Sequence, residues 1–455
     1  ECRMSGTSLY GMRLWPIIGY LAGSLLLPIA PFGPQAENPN FFTSVLGNAL
    51  PYGPLINRAT ILGGLSLLMA GLIAWSAPSS SRKLRWLDVP MLCWIICPTV
   101  AGVFNASPFR QDIQQSVYLA FAWGAPYAVG RLCITHWDDL RICLLAFLIA
   151  GGVTFGFALI EFAGGRFYYE AIYGPHPFQM EGKTRYFGYR PLLMMEDPNQ
   201  FGMWFATVAI IACAFWLNSR QSNQYQTDAG PWLKASRVLV LPVFLFQAIG
   251  ASVLSVFGMS LLIIQNPRVL SRGLLFAGAL AVVLFACRGP ILHYARQSLN
   301  TVPAARSAKA WLQDHSLGSL SWRLAREDDH LALIRQHPIV GWGDINFWRL
   351  NSDRVRPWGL VTLIAGAYGT LGVLCWVSLT VTPILAWFLS HHADDQRFCV
   401  FGKTVLVLLV VQLIDAFLNS GYLLTLVVLH GGMTSNCTVF CRTSTPGVST
   451  VETKK

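Results

Sequence analysis

The sequence predicts an all-α, polytopic membrane protein of about twelve spans, with a long, partly helical outer loop between late helices. Three observations lead there. Hydrophobic residues make up 54% of the 455 residues and charged residues only 12%. A soluble domain typically carries about 25% charge, and half of that leaves too little polar surface to keep a globule in water. Apolar runs near the roughly 20 residues needed to cross a bilayer recur along the chain, separated by short basic gaps. The remaining polar content collects in two long stretches, 164–198 and 288–357.

Taken in order, the apolar runs place helices at Leu14–Pro31, Ile61–Trp75, Val89–Val103, Val117–Val129, Ile142–Ala163 and Phe201–Leu217. The first of them reads as a retained helix, since no small-residue cleavage site follows it. Val238–Ile264 is too long for one crossing, and its Gly250-Ala-Ser interruption reads as a tight turn between two short helices. Leu274–Cys287, Gly359–Leu389, Val405–Leu418 and Tyr422–Leu429 complete the set. The chain then divides into N-terminal transmembrane helices (1–163), an outer loop with central helices (164–287) and a large outer loop (288–358), which the resemblance given below implies is periplasmic and carries the active site. C-terminal helices (359–433) and a cytoplasmic tail (434–455) follow.

Lysines and arginines in the short loops set the orientation. Arg82, Lys83 and Arg85, then Arg131 and Arg141, then Arg220, Lys234 and Arg237 fall on one side. Arg268, Arg272, Arg397 and Lys403 join them, as do the terminal Lys454 and Lys455. Both termini are then cytoplasmic and the two long loops face outward. The net charge of +11 suits anionic lipid headgroups or an anionic substrate. No nucleic-acid recognition motif is present.

Eleven cysteines are scattered, mostly inside apolar runs. Cys93 and Cys97 share a helix face and Cys437 and Cys441 lie four apart, but neither pair has a second pair at zinc-site spacing. They read as small hydrophobes, and no metal or cofactor is expected.

The long loops are rich in arginine. Arg166, Lys183, Arg185 and Arg190 lie in the first, and Arg288, Arg296, Arg306, Arg323, Arg326, Arg335, Arg349, Arg354 and Arg356 in the second. Guanidinium holds phosphate bidentately and stays charged at any working pH. As a set at an outer boundary they read as a grip on a lipid phosphate or diphosphate. Any one of them taken alone reads as solvated surface beside acids such as Glu327, Asp328 and Asp329.

Two motifs carry a resemblance. The first is RYFGYRPLLMMEDPNQFGMWFA (Arg185–Ala206), an arginine-rich loop ending in Pro-Asn at the mouth of a helix. The second is HPIVGWGDINF (His337–Phe347), followed by a helix bearing AYGTLGV (Ala367–Val373). With the span count and the late outer loop, 187–373 resembles the superfamily of O-antigen ligases and O-antigen and exopolysaccharide polymerases of the bacterial inner membrane. That resemblance implies metal-independent glycosyl transfer from a polyprenyl-diphosphate-linked glycan on the periplasmic face. It implies that Arg185, Arg190, Arg288 and Arg323 bind the diphosphate, and that a glycan or lipid-core hydroxyl is the acceptor. Fixed cations suit the charge that develops on a departing diphosphate.

The sequence departs from the family at two places, one of them the turn between two middle helices, where Leu254-Ser-Val-Phe-Gly258 stands in place of Ser-Arg-Gly and Ser271-Arg-Gly273 is expected on the cytoplasmic side. Where family ligases open the helix with His-Asn, this chain has Trp358 and Gly359. A polymerase of repeat units is therefore the leading expectation, with O-antigen ligase or a lipid-linked-glycan flippase as alternatives. Other groups are candidates for the base: His337 before Pro338, Glu196 beside Asp197, and Asp344 within Gly-Trp-Gly-Asp. Glu196 reads equally as a helix N-terminal acid. Asp415, inside a helix, is a functional candidate by position or a hydrogen-bond partner of Asn419. Trp342 and Trp348, flanking Gly343, are candidates for glycan contact, while most other loop aromatics read as interface anchors. The donor, the acceptor and membrane lipids are the expected partners, and a chain-length regulator is a further one.

Overall fold

The computed structural model describes residues 6–27, 58–75, 84–107, 109–165, 184–185, 188–195, 198–221, 237–246, 248–264, 266–287, 327, 329–350, 356–389, 396–419 and 421–443. Isolated residues at 171 and between 290 and 310 are also described. The elements in chain order begin with α1 (Gly6–Leu26), α2 (Arg58–Trp75), α3 (Val89–Phe104), α4 (Phe109–Leu119), α5 (Ala125–Cys133) and α6 (Trp137–Gly164). A two-residue antiparallel ladder, β1 (Thr184–Arg185) with β2 (Gly188–Tyr189), precedes α7 (Pro198–Gln221), α8 (Pro242–Leu245), α9 (Ile249–Ile263) and α10 (Pro267–Ala286). The last three are α11 (Leu360–Leu389), α12 (Gln396–Leu418) and α13 (Val427–Thr443).

Helix is what such apolar runs must form, because lipid offers no partner for a free backbone N–H or C=O. Six helices among the described residues are long and apolar enough to cross a membrane, and the stretches Leu14–Leu26, Ile249–Ile263 and Leu424–Ser435 are apolar but shorter. The class expected from sequence is therefore seen, and six of the expected crossings meet this length.

Several helices differ from the sequence reading at their ends. Helix α4 begins at Phe109 rather than Val117. Arg110, Gln111, Asp112, Gln114 and Gln115 look like loop, yet they form a helix that turns Asp112 and Leu119 inward. It joins α5 through a π-helical turn, Ala120–Gly124. Helix α10 starts at Pro267, where a missing N–H costs nothing in the first turn. In the 238–264 stretch α8 ends at Leu245 and α9 starts at Ile249, so Gly250 lies inside α9. The final helix continues to Thr443, through residues expected to begin a tail.

Helices α12 and α7 form the centre: 83% and 72% of their apolar windows are buried, against 28% for α2, which lies at the periphery. Helices α5 and α13 pack at backbone contact. A methyl group at Gly130 would fall 1.8 Å from the Val428 carbonyl oxygen, and one at Gly431 would fall 1.9 Å from that of Tyr127. Small residues permit this closeness, which dispersion and not the hydrophobic effect drives in lipid. Beside that seam Arg131 Nε lies 3.3 Å from Asp88 Oδ1. Tyr127 donates to the same carboxylate at 2.9 Å, and Arg131 Nη1 donates to Ser435 Oγ at 3.2 Å.

A second cluster joins α3, the π-turn, α11 and the 421–423 strand of chain. Its rings run Tyr368–Trp94–Trp123–Tyr422–Trp376, with successive centroids 6.0, 5.7, 4.5 and 6.2 Å apart. Such aromatic pairs add about 0.5–1.5 kcal/mol each beyond their buried area. This cluster carries the break in α11 described next.

Candidate functional site at the break in α11

Helix α11 is interrupted at Gly369, whose φ of 64° and ψ of −162° only glycine adopts comfortably. The break divides it into arms Leu360–Tyr368 and Thr370–Leu389 and frees backbone groups on both sides. The loop 337–343 supplies their partners. Trp342 N donates to Gly366 O at 2.9 Å and Gly343 N to Ala367 O at 2.8 Å. In the other direction Thr370 N donates to Pro338 O at 2.8 Å and Leu371 N to Ile339 O at 3.0 Å.

The two glycine motifs are therefore two halves of one clasp. Gly341, at φ 66°, approaches so closely that an added methyl would lie 2.5 Å from the Tyr368 nitrogen. Asn105, at the end of α3, locks the clasp by donating Nδ2 to Gly341 O at 2.9 Å and to Ala101 O at 2.8 Å.

On this support the loop presents its side chains. The His337 and Trp342 rings are in contact, with centroids 4.1 Å apart, and Trp342 Nε1 donates to Leu333 O at 3.1 Å. Asp344 Oδ1 accepts from Asn346 N at 2.9 Å, an Asx turn that starts the Phe347–Leu350 helical turn. Trp348 is half-buried, with the Arg349 guanidinium 5.3 Å from its ring centroid. Four of the sequence candidates, His337, Trp342, Asp344 and Trp348, thus share one loop.

The arginine-rich strap rests on a different support. Arg190 is buried. The chain just after it is held by Glu161 of α6, whose Oε2 accepts from Leu192 N at 3.2 Å and from Leu193 N at 2.7 Å. Arg58 of α2 donates to Met194 O at 2.5 Å and to Ser24 O at 3.1 Å, which ties the strap to the end of α1. Arg185 is on β1, and its side chain lies outside the described residues. Glu196, Arg288 and Arg323 also lie outside the described residues.

Two carboxylates that the motifs did not single out are built into the same region. Glu327 is buried at the start of α11, accepting from Gly359 N at 2.7 Å and from Thr362 Oγ1 at 2.5 Å. It stands by Trp358-Gly359, at the entry to that helix. Thirty-two residues separate Glu327 from Gly359, so no local spacing announces the contact. Asp112 is buried over Gly102, held by Ser107 Oγ at 2.7 and 2.6 Å. Gly343 packs on that same glycine of α3. Asp415 accepts from Asn419 Nδ2 at 2.5 Å, and Asn419 O in turn accepts from Leu360 N at 3.0 Å, joining the end of α12 to the start of α11.

Among the described residues no group of three or more His, Cys, Asp or Glu side chains is placed to hold a metal ion. No protein-family model matches the chain, and no curated protein matches it either.

Proposed function

We propose that this protein transfers a glycan from a polyprenyl-diphosphate carrier to an acceptor hydroxyl, joining polysaccharide repeat units on the periplasmic side of a bacterial inner membrane. The observation that carries the reading is the clasp. It holds an imidazole, an indole and a carboxylate together on one loop, supported by a broken helix within an apolar bundle. In this reading the sugar lies on the Trp342 and Trp348 faces, and His337 or Asp344 takes the proton from the attacking hydroxyl. Arg185, Arg190, Arg288 and Arg323 neutralise the diphosphate as the anomeric C–O bond breaks. The helices α1, α4–α5, α9, α10 and α13 would add crossings to the six long ones, toward the roughly twelve that the apolar runs predict.

A lipid-linked-glycan transporter is the second reading. Buried polar groups inside the bundle, Gln412, Asp415 and His430, favour it, because ionisable groups within a membrane commonly mark a transport path.

The test is turnover by purified protein in nanodiscs with a polyprenyl-diphosphate repeat unit and no added metal. Wild type is compared with Arg190→Ala and His337→Ala. A product ladder that either variant loses supports the polymerase. Transfer only to a lipid-core acceptor would make it a ligase. Carrier movement across the membrane without any product would turn the assignment to transport.

A further inference from the structure

The turn at 192–195 holds an anion that belongs to the protein itself. Met195 N donates to Leu192 O at 2.9 Å and closes the turn. Inside it Leu193 has a φ of 48°, left-handed backbone that a leucine keeps only where its surroundings impose it. Successive N–H groups in such a turn converge and make a concave anion site. Here Leu192 N and Leu193 N both donate to Glu161 Oε2, at 3.2 and 2.7 Å. Glu161 is 1% exposed and lies in the last turn of α6. A helix C-terminus disfavours a carboxylate and a buried charge needs partners, and the two amides of the turn supply them.

Cations border the same turn. Arg58 Nη1 donates to Met194 O at 2.5 Å, to Ser24 O at 3.1 Å and to Leu27 O at 3.4 Å. These bonds keep the turn fastened to α1 and α2 when its amides change partner. Arg190, two residues before Leu192, is buried. Paired amides with guanidinium groups beside them are donors that suit a phosphoryl group, which brings more charge and more acceptor oxygens than a carboxylate.

We infer that the 192–195 turn is a phosphoryl cradle and that Glu161 occupies it as a built-in competitor, which a diphosphate displaces on binding. Only hydrogen bonds are exchanged: the two amide N–H groups pass from Glu161 Oε2 to phosphoryl oxygens. The apparent affinity of such a site is lowered by the fraction of molecules in which it stands free. Two bonds to one buried carboxylate keep that fraction small, so removing the carboxylate tightens binding by about tenfold or more. The choice of a diphosphate as ligand rests on the glycosyl-transfer reading, while the cradle and its occupant are read from the turn alone.

The experiment titrates the full chain in a maltoside detergent, which brings no phosphate, with inorganic pyrophosphate and with farnesyl diphosphate. Wild type is compared with Glu161→Gln, which keeps the side chain's size and removes its charge. Binding about tenfold tighter in the variant is expected for both probes. The ranking of the probes then tells a lipid-linked source from a soluble one. A carboxylate that only braces the strap predicts the opposite sign, because the loosened turn binds less well. In wild type, carboxyl-selective footprinting read by mass spectrometry should show Glu161 labelling faster as pyrophosphate is added, with the buried Glu327 unchanged. Pyrophosphate affinity that is equal, weaker or undetectable in Glu161→Gln overturns the inference. If that variant does not fold, Glu161 labelling that stays flat across the titration overturns it equally. Turnover plays no part in either readout, so a failed transfer assay beside tightened binding would remove the proposed reaction and leave the cradle in place.

Discussion

Replacing Gly369 by alanine tests the clasp directly. The residue's φ of 64° and ψ of −162° place it where a side chain costs about 1–3 kcal/mol in backbone strain. The new methyl would also lie 2.3 Å from the Ile339 carbonyl carbon and oxygen and 2.5 Å from the Gly341 nitrogen. These are backbone atoms and cannot swing aside, so the loop must lift. Lifting breaks first the bonds nearest the break, Thr370 N to Pro338 O and Leu371 N to Ile339 O. At about 0.5–1.5 kcal/mol for each net bond, that adds about 1–3 kcal/mol. The expected destabilisation is thus about 2–6 kcal/mol.

The control is Gly250→Ala, where nothing lies within 4 Å of an added methyl and the residue sits in α9. Alanine there is neutral or stabilises by about 0.5–1 kcal/mol. Thermal unfolding in detergent, followed with a thiol-reactive dye at one fixed scan rate, compares the two. Limited proteolysis of 337–350 reports whether the loop has lifted. If the two variants unfold together and the loop stays resistant, the described clasp would be refuted.

Three other perturbations address the supports around it. Glu327→Ala removes the acceptor for Gly359 N and Thr362 Oγ1. Bonds to a charged group are worth about 1.5–3 kcal/mol each, so a loss of about 3 kcal/mol is expected in the same unfolding assay, with Glu327→Gln recovering part of it. Gly130→Leu drives a side chain into the Val428 carbonyl. Size-exclusion profiles of the solubilised protein should show aggregation, while Gly152→Leu, with nothing within 4 Å, elutes as wild type. Removing one partner of the buried Asp88–Arg131 pair strands the other charge and costs about 3–5 kcal/mol. A paired apolar replacement such as Asp88→Leu with Arg131→Met should cost much less, and a double-mutant cycle measures the difference.

How much of this was legible in advance varied with the kind of signal. Helix existence was readable from apolar runs: Ile61–Trp75 was expected and Arg58–Trp75 is seen, and α3 was placed to within a residue at its end. These helices are legible because apolar length alone forces helix in a membrane-like composition. Helix ends carried by polar residues were missed. Asp112 looks like a loop residue until α4 turns it under Gly102, where Ser107 holds it. Gly341-Trp-Gly343 and Ala367-Tyr-Gly369 are legible as motifs, but their mutual fit is not, since it needs two segments over twenty residues apart to meet backbone to backbone.

By itself, then, the sequence determined the class: an apolar, helical chain whose polar residues gather in two arginine-rich stretches, with a His-Pro and two glycine motifs at one place. The tertiary structure decided what those motifs do locally. It showed that Gly369 breaks α11, that the loop carrying His337, Trp342 and Asp344 repairs the break, and that Glu327 caps the first arm. The physical reason is range. Burial of apolar surface and the need to satisfy backbone groups act along the chain and leave a readable period. A carboxylate finding an amide thirty-two residues away, or an asparagine at the end of α3 reaching the Gly341 carbonyl, depends on packing that no local pattern encodes.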